Sequence, residues 1–194
     1  LPRHTTETWA ETFAEDDESV LIGVGSELIR DRDGRFEPFA FEGDKPLFDW
    51  INHLCVARDG SLWVASNNGL FHIADGRAQH WTTEHGFSSR RGQYVIEDST
   101  GAIWAGSSAE LVRLKSGRLS RITTADGLHD NRIYAIVPDD YGFFWIASGN
   151  GYFRVSRQSL DDFADHKTRH IECRAFNGLD SVKISDRTDQ GYSG

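Results

Sequence analysis

Tryptophan returns in this chain at a constant interval. Trp63, Trp104 and Trp145 stand 41 residues apart, each inside the same phrase: Gly60-Ser-Leu-Trp63-Val-Ala-Ser, Gly101-Ala-Ile-Trp104-Ala-Gly-Ser, Gly142-Phe-Phe-Trp145-Ile-Ala-Ser. Gly60, Gly101 and Gly142 keep the same step. A repeat of about 40 to 45 residues, made of short apolar strands and Gly turns, predicts an all-β fold. It is the pattern of a β-propeller, with one four-stranded antiparallel blade per copy. Residues shared by the copies are then architectural, and residues that differ are the better candidates for function.

A second turn recurs downstream of Trp63 and Trp104, at Asp75-Gly76-Arg77 and Ser116-Gly117-Arg118, again 41 residues apart. Asp33-Gly34-Arg35 marks an earlier, worn copy in which Leu21 replaces Trp63 and Leu28 replaces Leu70. Copies close on Thr-rich phrases, Trp81-Thr-Thr-Glu-His-Gly86-Phe87 and Ile122-Thr-Thr-Ala-Asp-Gly127-Leu128. The spacing divides one propeller segment, 1–194, into blades near 9–48, 49–89, 90–130 and 131–181. The last of these carries an insertion at 156–170, and a further blade begins at 182–194.

The expected strands are short, β-branched or aromatic, and bounded by Gly, Asp or Asn. In one copy they run 51–56, 62–66, 69–73 and 78–82, and in the next 94–96, 103–106, 111–114 and 119–123. The Asp-Gly and Ser-Gly pairs supply the positive φ of a tight hairpin. Small residues after each tryptophan (Ala65, Gly106, Ala147) suit crowding between blades. Each tryptophan would bury about 150–250 Å² against the neighbouring sheet, so Trp63, Trp104 and Trp145 read as structural, with Gly60, Gly101 and Gly142 as their turns.

Composition suits a globular β protein: 26% charged and 38% hydrophobic residues, with no apolar run near the roughly 20 needed to span a bilayer. A net charge of −9, without a basic stripe, argues against nucleic acid and against an anionic membrane surface. Cys55 and Cys173 lie in different copies, and no spacing of Cys, His or Asp matches a metal site, so no metal or cofactor is expected. The chain lacks methionine, which points to a piece of a longer polypeptide. At 41 residues per copy, 194 residues hold about 4.7 blades, so the expected object is an incomplete ring of 4–5 blades cut from a larger propeller. Its two open faces would favour self-association.

The phrases Asp98-Ser-Thr-Gly-Ala-Ile-Trp104-Ala-Gly-Ser and Asp139-Asp-Tyr-Gly-Phe-Phe-Trp145-Ile-Ala-Ser resemble the two-component regulator propeller repeat, D-x-x-G-x-L-W-x-G-T followed by G-L. The closing Thr-x-x-x-Gly-Leu phrase also matches, and the resemblance covers most of residues 15–181. There are departures: Ala57 replaces the first Asp of the turn, the first copy lacks Gly and Trp, and Ser108-Ala-Glu110 replaces a Gly-Leu pair. The resemblance implies a periplasmic sensory module of a bacterial membrane-bound signalling protein. Such a module relays an extracytoplasmic signal to a histidine kinase or diguanylate cyclase and is not itself an enzyme. It also implies a small-molecule or oligosaccharide ligand, and neighbouring blades or domains of the parent protein as partners.

Loops that join the fourth strand of one blade to the first strand of the next share one face of a propeller. Aligned copies place Asp49-Trp50, Arg90-Arg91 and Asn131-Arg132 at equivalent positions there. Arg offers forked donors and Trp a stacking surface, so Trp50, Arg90, Arg91, Asn131 and Arg132 are the candidate ligand-binding set for an anion or a sugar. His53, His85 and His129 lie near the same loops but lack a nucleophile or metal partner at recognisable spacing, and read as packing or surface residues. The stretch 158–166 reads as a short helix covering a blade edge. Two other functions compete: a stand-alone protein-binding scaffold, and a propeller enzyme resembling the streptogramin lyases. The latter would need convergent acid–base groups that the sequence does not show.

Overall fold

A computed structural model describes residues 12–87 and 91–176. It contains four antiparallel four-stranded sheets, each built from four consecutive strands in sequence order. Sheet one comprises β1 (Thr12–Glu15), β2 (Val20–Val24), β3 (Glu27–Arg32) and β4 (Arg35–Pro38). Sheet two comprises β5 (Ile51–Val56), β6 (Leu62–Ser66), β7 (Gly69–Ala74) and β8 (Arg77–Trp81). Sheet three comprises β9 (Gly92–Glu97), β10 (Ile103–Ser107), β11 (Leu111–Lys115) and β12 (Arg118–Ile122). Sheet four comprises β13 (Ile133–Pro138), β14 (Phe143–Ser148), β15 (Gly151–Ser156) and β16 (Cys173–Phe176). The first strand of each sheet lies against that of the next, β1 on β5, β5 on β9 and β9 on β13. These strands are the inner edge of an incomplete four-bladed β-propeller.

Among the described residues the core is divided rather than central. Three apolar clusters fill the three spaces between successive blades. Trp104 is fully buried, its ring meeting the edge of Phe144 on the next blade at 5.3 Å. Trp63 is buried in the same way between blades two and three. Trp145 differs from the expectation of burial: it is 37% exposed and stacks on Phe176 of its own blade at 5.1 Å. The reason is geometric. Its face of blade four is where a following blade would lie, and the described residues contain none. The crowding expected after the tryptophans is seen after Trp104, where a Cβ on Gly106 would sit 2.5 Å from Ile133 of the next blade.

The Asp of each D-x-x-G turn organises its blade. Asp98 is buried and accepts four hydrogen bonds: from Thr100 N and Oγ1, both at 2.7 Å, from Ala102 N at 3.1 Å and from Trp104 Nε1 at 2.9 Å. Asp139 repeats the pattern with Tyr141 N, Phe143 N and Trp145 Nε1 at 2.9–3.0 Å. One carboxylate thus closes the turn and fixes the indole. In blade two Ala57 stands at this place, and Asp59 holds the turn instead by accepting from Ser61 N and Oγ.

The helix expected over 158–166 forms as α1 (Arg157–Ala164), capped by Ser156, whose Oγ accepts from Ser159 N. It replaces the tight turn found between third and fourth strands elsewhere and folds back toward β12 and β14. Leu160 and Ala164 are buried in the blade three–four cluster and its edge. Arg113 of β11, itself buried, pairs with Asp161 and Asp165 at 2.8 Å each. The further blade expected at 182–194 lies outside the described residues.

Burial pushes the Asp98 carboxyl up, but the Trp104 indole, the Thr100 hydroxyl and two backbone amides outweigh this and hold it below the usual range. Its contribution is therefore complete above the unfolded carboxylate value near pH ~4 and is lost as pH falls through the lower folded value. Asp98→Asn should cost about 1–3 kcal/mol at neutral pH and flatten the acid limb of a stability–pH profile from urea unfolding. Trp104→Ala should cost about 3–5 kcal/mol in the same assay, and Trp145→Ala, already part-exposed, clearly less.

Candidate functional site

The loops that lead from one blade to the next are built on the Thr-x-x-x-Gly phrase. Thr82 and Thr123 each cap a single 3-10 turn, 83–85 and 124–126, which ends on Gly86 (φ 89°) or Gly127 (φ 106°). Thr123 N and Oγ1 both donate to Asp126 Oδ2, at 2.8 and 2.9 Å. At Gly127 a Cβ would run into the carbonyl oxygen of Ile171, so glycine is required for space as well as for φ. Each of these glycines stands six residues before the start of the next inner strand, β9 or β13.

Trp50, Arg91 and Arg132 immediately precede β5, β9 and β13, one per blade. The carbonyl of Trp50 accepts from Asn67 N at 2.9 Å, and that of Arg132 accepts from Gly149 N at 3.1 Å, so these two positions are equivalent in hydrogen bonding as well as in sequence. Trp50 is 44% exposed, with its ring 4.0 Å from the space a Cβ on Gly25 would fill. Arg132 is half exposed, folds its guanidinium over Gly149 and sits 4.0 Å from the buried Asp130. Arg91 is exposed, and Arg90 lies outside the described residues. Asn131 turns inward to the loop itself, where its Oδ1 accepts from Thr124 N at 2.8 Å and braces the turn.

The histidines near these loops are held by packing. His53 stacks on Tyr94 at 3.7 Å, bridging the inner strands of blades two and three, and burial lowers its pKa to about 4. His85 Nδ1 accepts from Thr82 N at 3.3 Å. His129 packs its ring 5.5 Å from Phe153. Among the described residues no group of three or more His, Cys, Asp or Glu gathers as a metal site. Cys55 and Cys173 are free thiols, pushed up by burial. Sequence reasoning noticed Ser108-Ala-Glu110 only as a departure from the repeat. In the fold Glu110 is fully buried and accepts from Arg121 Nε at 2.7 Å, where Gly69 and Gly151 stand in other blades. It also missed Asn52, whose Nδ2 donates to Asn67 Oδ1 and to Gly92 O, tying blade two to blade three on this face.

Residues 127–150 match the family model described as two component regulator propeller, which bears out the resemblance read from the turn and tryptophan phrases. No curated protein matches the chain in sequence. Among solved structures it is similar to two extracellular domains of hybrid two component systems of Bacteroides thetaiotaomicron, each at 18% identity. One has a TM-score of 0.68 over 76% of this chain and 22% of that one. The other has a TM-score of 0.65 over 89% and 26%. Virginiamycin B lyase of Staphylococcus aureus is similar at TM-score 0.63 and 14% identity, over 91% of this chain and 58% of the lyase. At these identities the likeness is one of fold. The chain spans about a quarter of the length of these two extracellular domains.

A histidine held neutral in the fold but free to charge when unfolded makes stability fall as pH drops from about 6.5 toward the folded value. For His53, NMR titration should show no protonation above pH ~5. His53→Phe, which keeps a ring on Tyr94, should shallow the loss of stability across that window; an unchanged slope would assign it elsewhere.

Proposed function

We propose that this propeller segment belongs to the periplasmic sensing part of a bacterial membrane-bound signalling protein and is not itself a catalyst. The loop face at Trp50, Arg91, Asn131 and Arg132, together with Arg90, which precedes Arg91 in the sequence, contacts a small-molecule or oligosaccharide ligand. The observation that supports this most is the equivalence of the three positions. One residue per blade stands immediately before the inner strand, and its side chain varies from indole to guanidinium. A constant backbone position with a variable side chain is what a recognition surface on a rigid scaffold requires. The repeat match over 127–150 and the fold shared with extracellular domains of hybrid two component systems support the signalling context. Among the described residues no helix is long and apolar enough to cross a membrane, so an output domain across a membrane would be reached through other parts of the parent.

A second reading, a protein-binding or self-associating scaffold, is favoured by the open faces. On blade four Trp145, Val137 (55% exposed) and Tyr152 (65%) lie on neighbouring strands of one sheet. On blade one Phe13 (63%) and Phe36 (68%) are exposed at the opposite end. The fold shared with virginiamycin B lyase carries an enzyme reading no further than the fold.

Two measurements separate these readings. A panel of oligosaccharides and sugar acids, screened by thermal shift against the chain, should contain a compound that raises its melting temperature. Arg91→Ala with Arg132→Ala should then weaken that compound about tenfold or more, as loss of two charge-assisted contacts implies; unchanged affinity removes the loop-face site. Light scattering across a concentration series should show association through the open faces, reduced by Trp145→Ser, and a strict monomer at high concentration would remove the scaffold reading.

A further inference from the structure

The four blades carry one position whose chemistry repeats in three of them. On the third strand, opposite the tryptophan of the second, stand Arg30, His72, Arg113 and Arg154, paired in register with Leu21, Trp63, Trp104 and Trp145. Each of the three arginines lays its guanidinium on an aromatic ring. Arg30 is 4.8 Å from Phe39, Arg113 is 6.0 Å from Trp104, and Arg154 is 4.2 Å from Phe143 and 5.5 Å from Trp145. Blade two has an imidazole instead, stacked on Trp63 at 4.3 Å. Burial lowers the His72 pKa, partly opposed by Asp59, so the ring is neutral at neutral pH.

The space beside this position also differs from groove to groove. Between blades three and four it is filled by α1, which lies over Arg113 and pairs Asp161 and Asp165 with it. Between blades two and three no helix among the described residues intervenes and a cleft of about 310 Å³ remains, lined among others by Trp63, His72, Trp81, Gln79, Asp59 and Glu97. That is the low end of ligand-site volumes, enough for one small group. Its rings are Trp63, His72 and the half-buried Trp81, whose Nε1 is buried without a hydrogen-bond partner. Its charges are two carboxylates. Arg58 lies 3.6 Å from Glu97, while Asp59 accepts from Ser61 through Oδ1. The groove therefore has aromatic walls and a net negative charge at the one blade where this position supplies no guanidinium of its own.

We propose that the cleft between blades two and three is a binding site for an organic cation, a guanidinium or alkylammonium group. The cation takes the part that Arg30, Arg113 and Arg154 play in the other blades, resting on aromatic rings and facing Asp59. The site is built from second- and third-strand residues, apart from the loop-face set, and does not depend on the sensor reading. The acidic chain, at net charge −9, attracts such ligands from a distance. A free small molecule and a Lys or Arg side chain of another protein share this chemistry.

Choline chloride and L-argininamide are the probes, with methyl β-glucopyranoside as a neutral control, titrated into the whole chain by NMR and tryptophan fluorescence. Two substitutions use residues the fold already accommodates at the equivalent positions. Trp81→Ile copies Ile122 of blade three and should weaken the cations about five- to tenfold, the effect of losing one aromatic wall. His72→Arg copies the other three blades, installs the missing cation and should abolish binding, with circular dichroism unchanged in both variants. Arg91→Ala with Arg132→Ala should leave the cations bound, which keeps this site distinct from the loop face. Choline bound without argininamide points to a quaternary ammonium metabolite, and argininamide alone to a basic side chain; either supports the site. The proposal is overturned if neither cation binds, if only the neutral sugar binds, or if His72→Arg leaves cation affinity unchanged.

Discussion

One contact carries this architecture: an indole on the second strand of a blade pressed against the sheet that follows. Trp104 meets the ring edge of Phe144 in a dry space, while its Nε1 donates to Asp98 at the turn below. The same carboxylate closes the turn that aligns the first and second strands. Sheet pairing within a blade and packing between blades are therefore joined at one residue pair. A four-stranded sheet has two faces to cover and cannot cover them alone. The indole–carboxylate pair sets how the next sheet approaches, and Gly106 removes the Cβ that would hold it away.

That dependence explains how much of the fold was legible. Contacts within a copy fall at fixed offsets, so the strands, their turns and the glycines follow from a repeat of 41 residues. The helix at 157–164 was legible in outline, as the short helix read over 158–166. Contacts between copies depend on how one sheet is rotated against the next, and sequence period does not report rotation. The stack of His53 on Tyr94, the seat of α1 beside Arg113 and the exposure of Trp145 all belong to that second class. Three tryptophans alike in sequence context end in two environments because one has no sheet after it among the described residues.

The loop face shows the same division at smaller scale. Aligned copies found Trp50, Arg91 and Arg132 because their backbone position is local to the turn. They did not separate Asn131 from its neighbours, because its bond to Thr124 depends on the curl of the 3-10 turn. Nor could they show that Glu110, standing where other blades have glycine, would be drawn fully inside and matched by Arg121. A buried carboxylate is costly unless paired and hydrogen-bonded, so blade three must supply its own cation where the other blades need none.

The comparison of grooves then gives the copies a second use. A repeat protein contains its own controls, since each blade solves the same packing problem under slightly different side chains. Where blade three has Asp98 on its turn and Arg113 facing an inserted helix, blade two has Ala57 and His72 facing a cleft. Both replacements remove a charge-assisted contact from the same groove, and neither is required by the architecture, because Asp59 closes the turn without Asp98's counterpart. Loss of two stabilising groups at one groove, with the space left open and ringed by aromatics, runs against what packing alone favours. Packing would keep the arginine or fill the cleft. The blade that departs from the rule is thus the one whose departure asks for a partner from outside the fold.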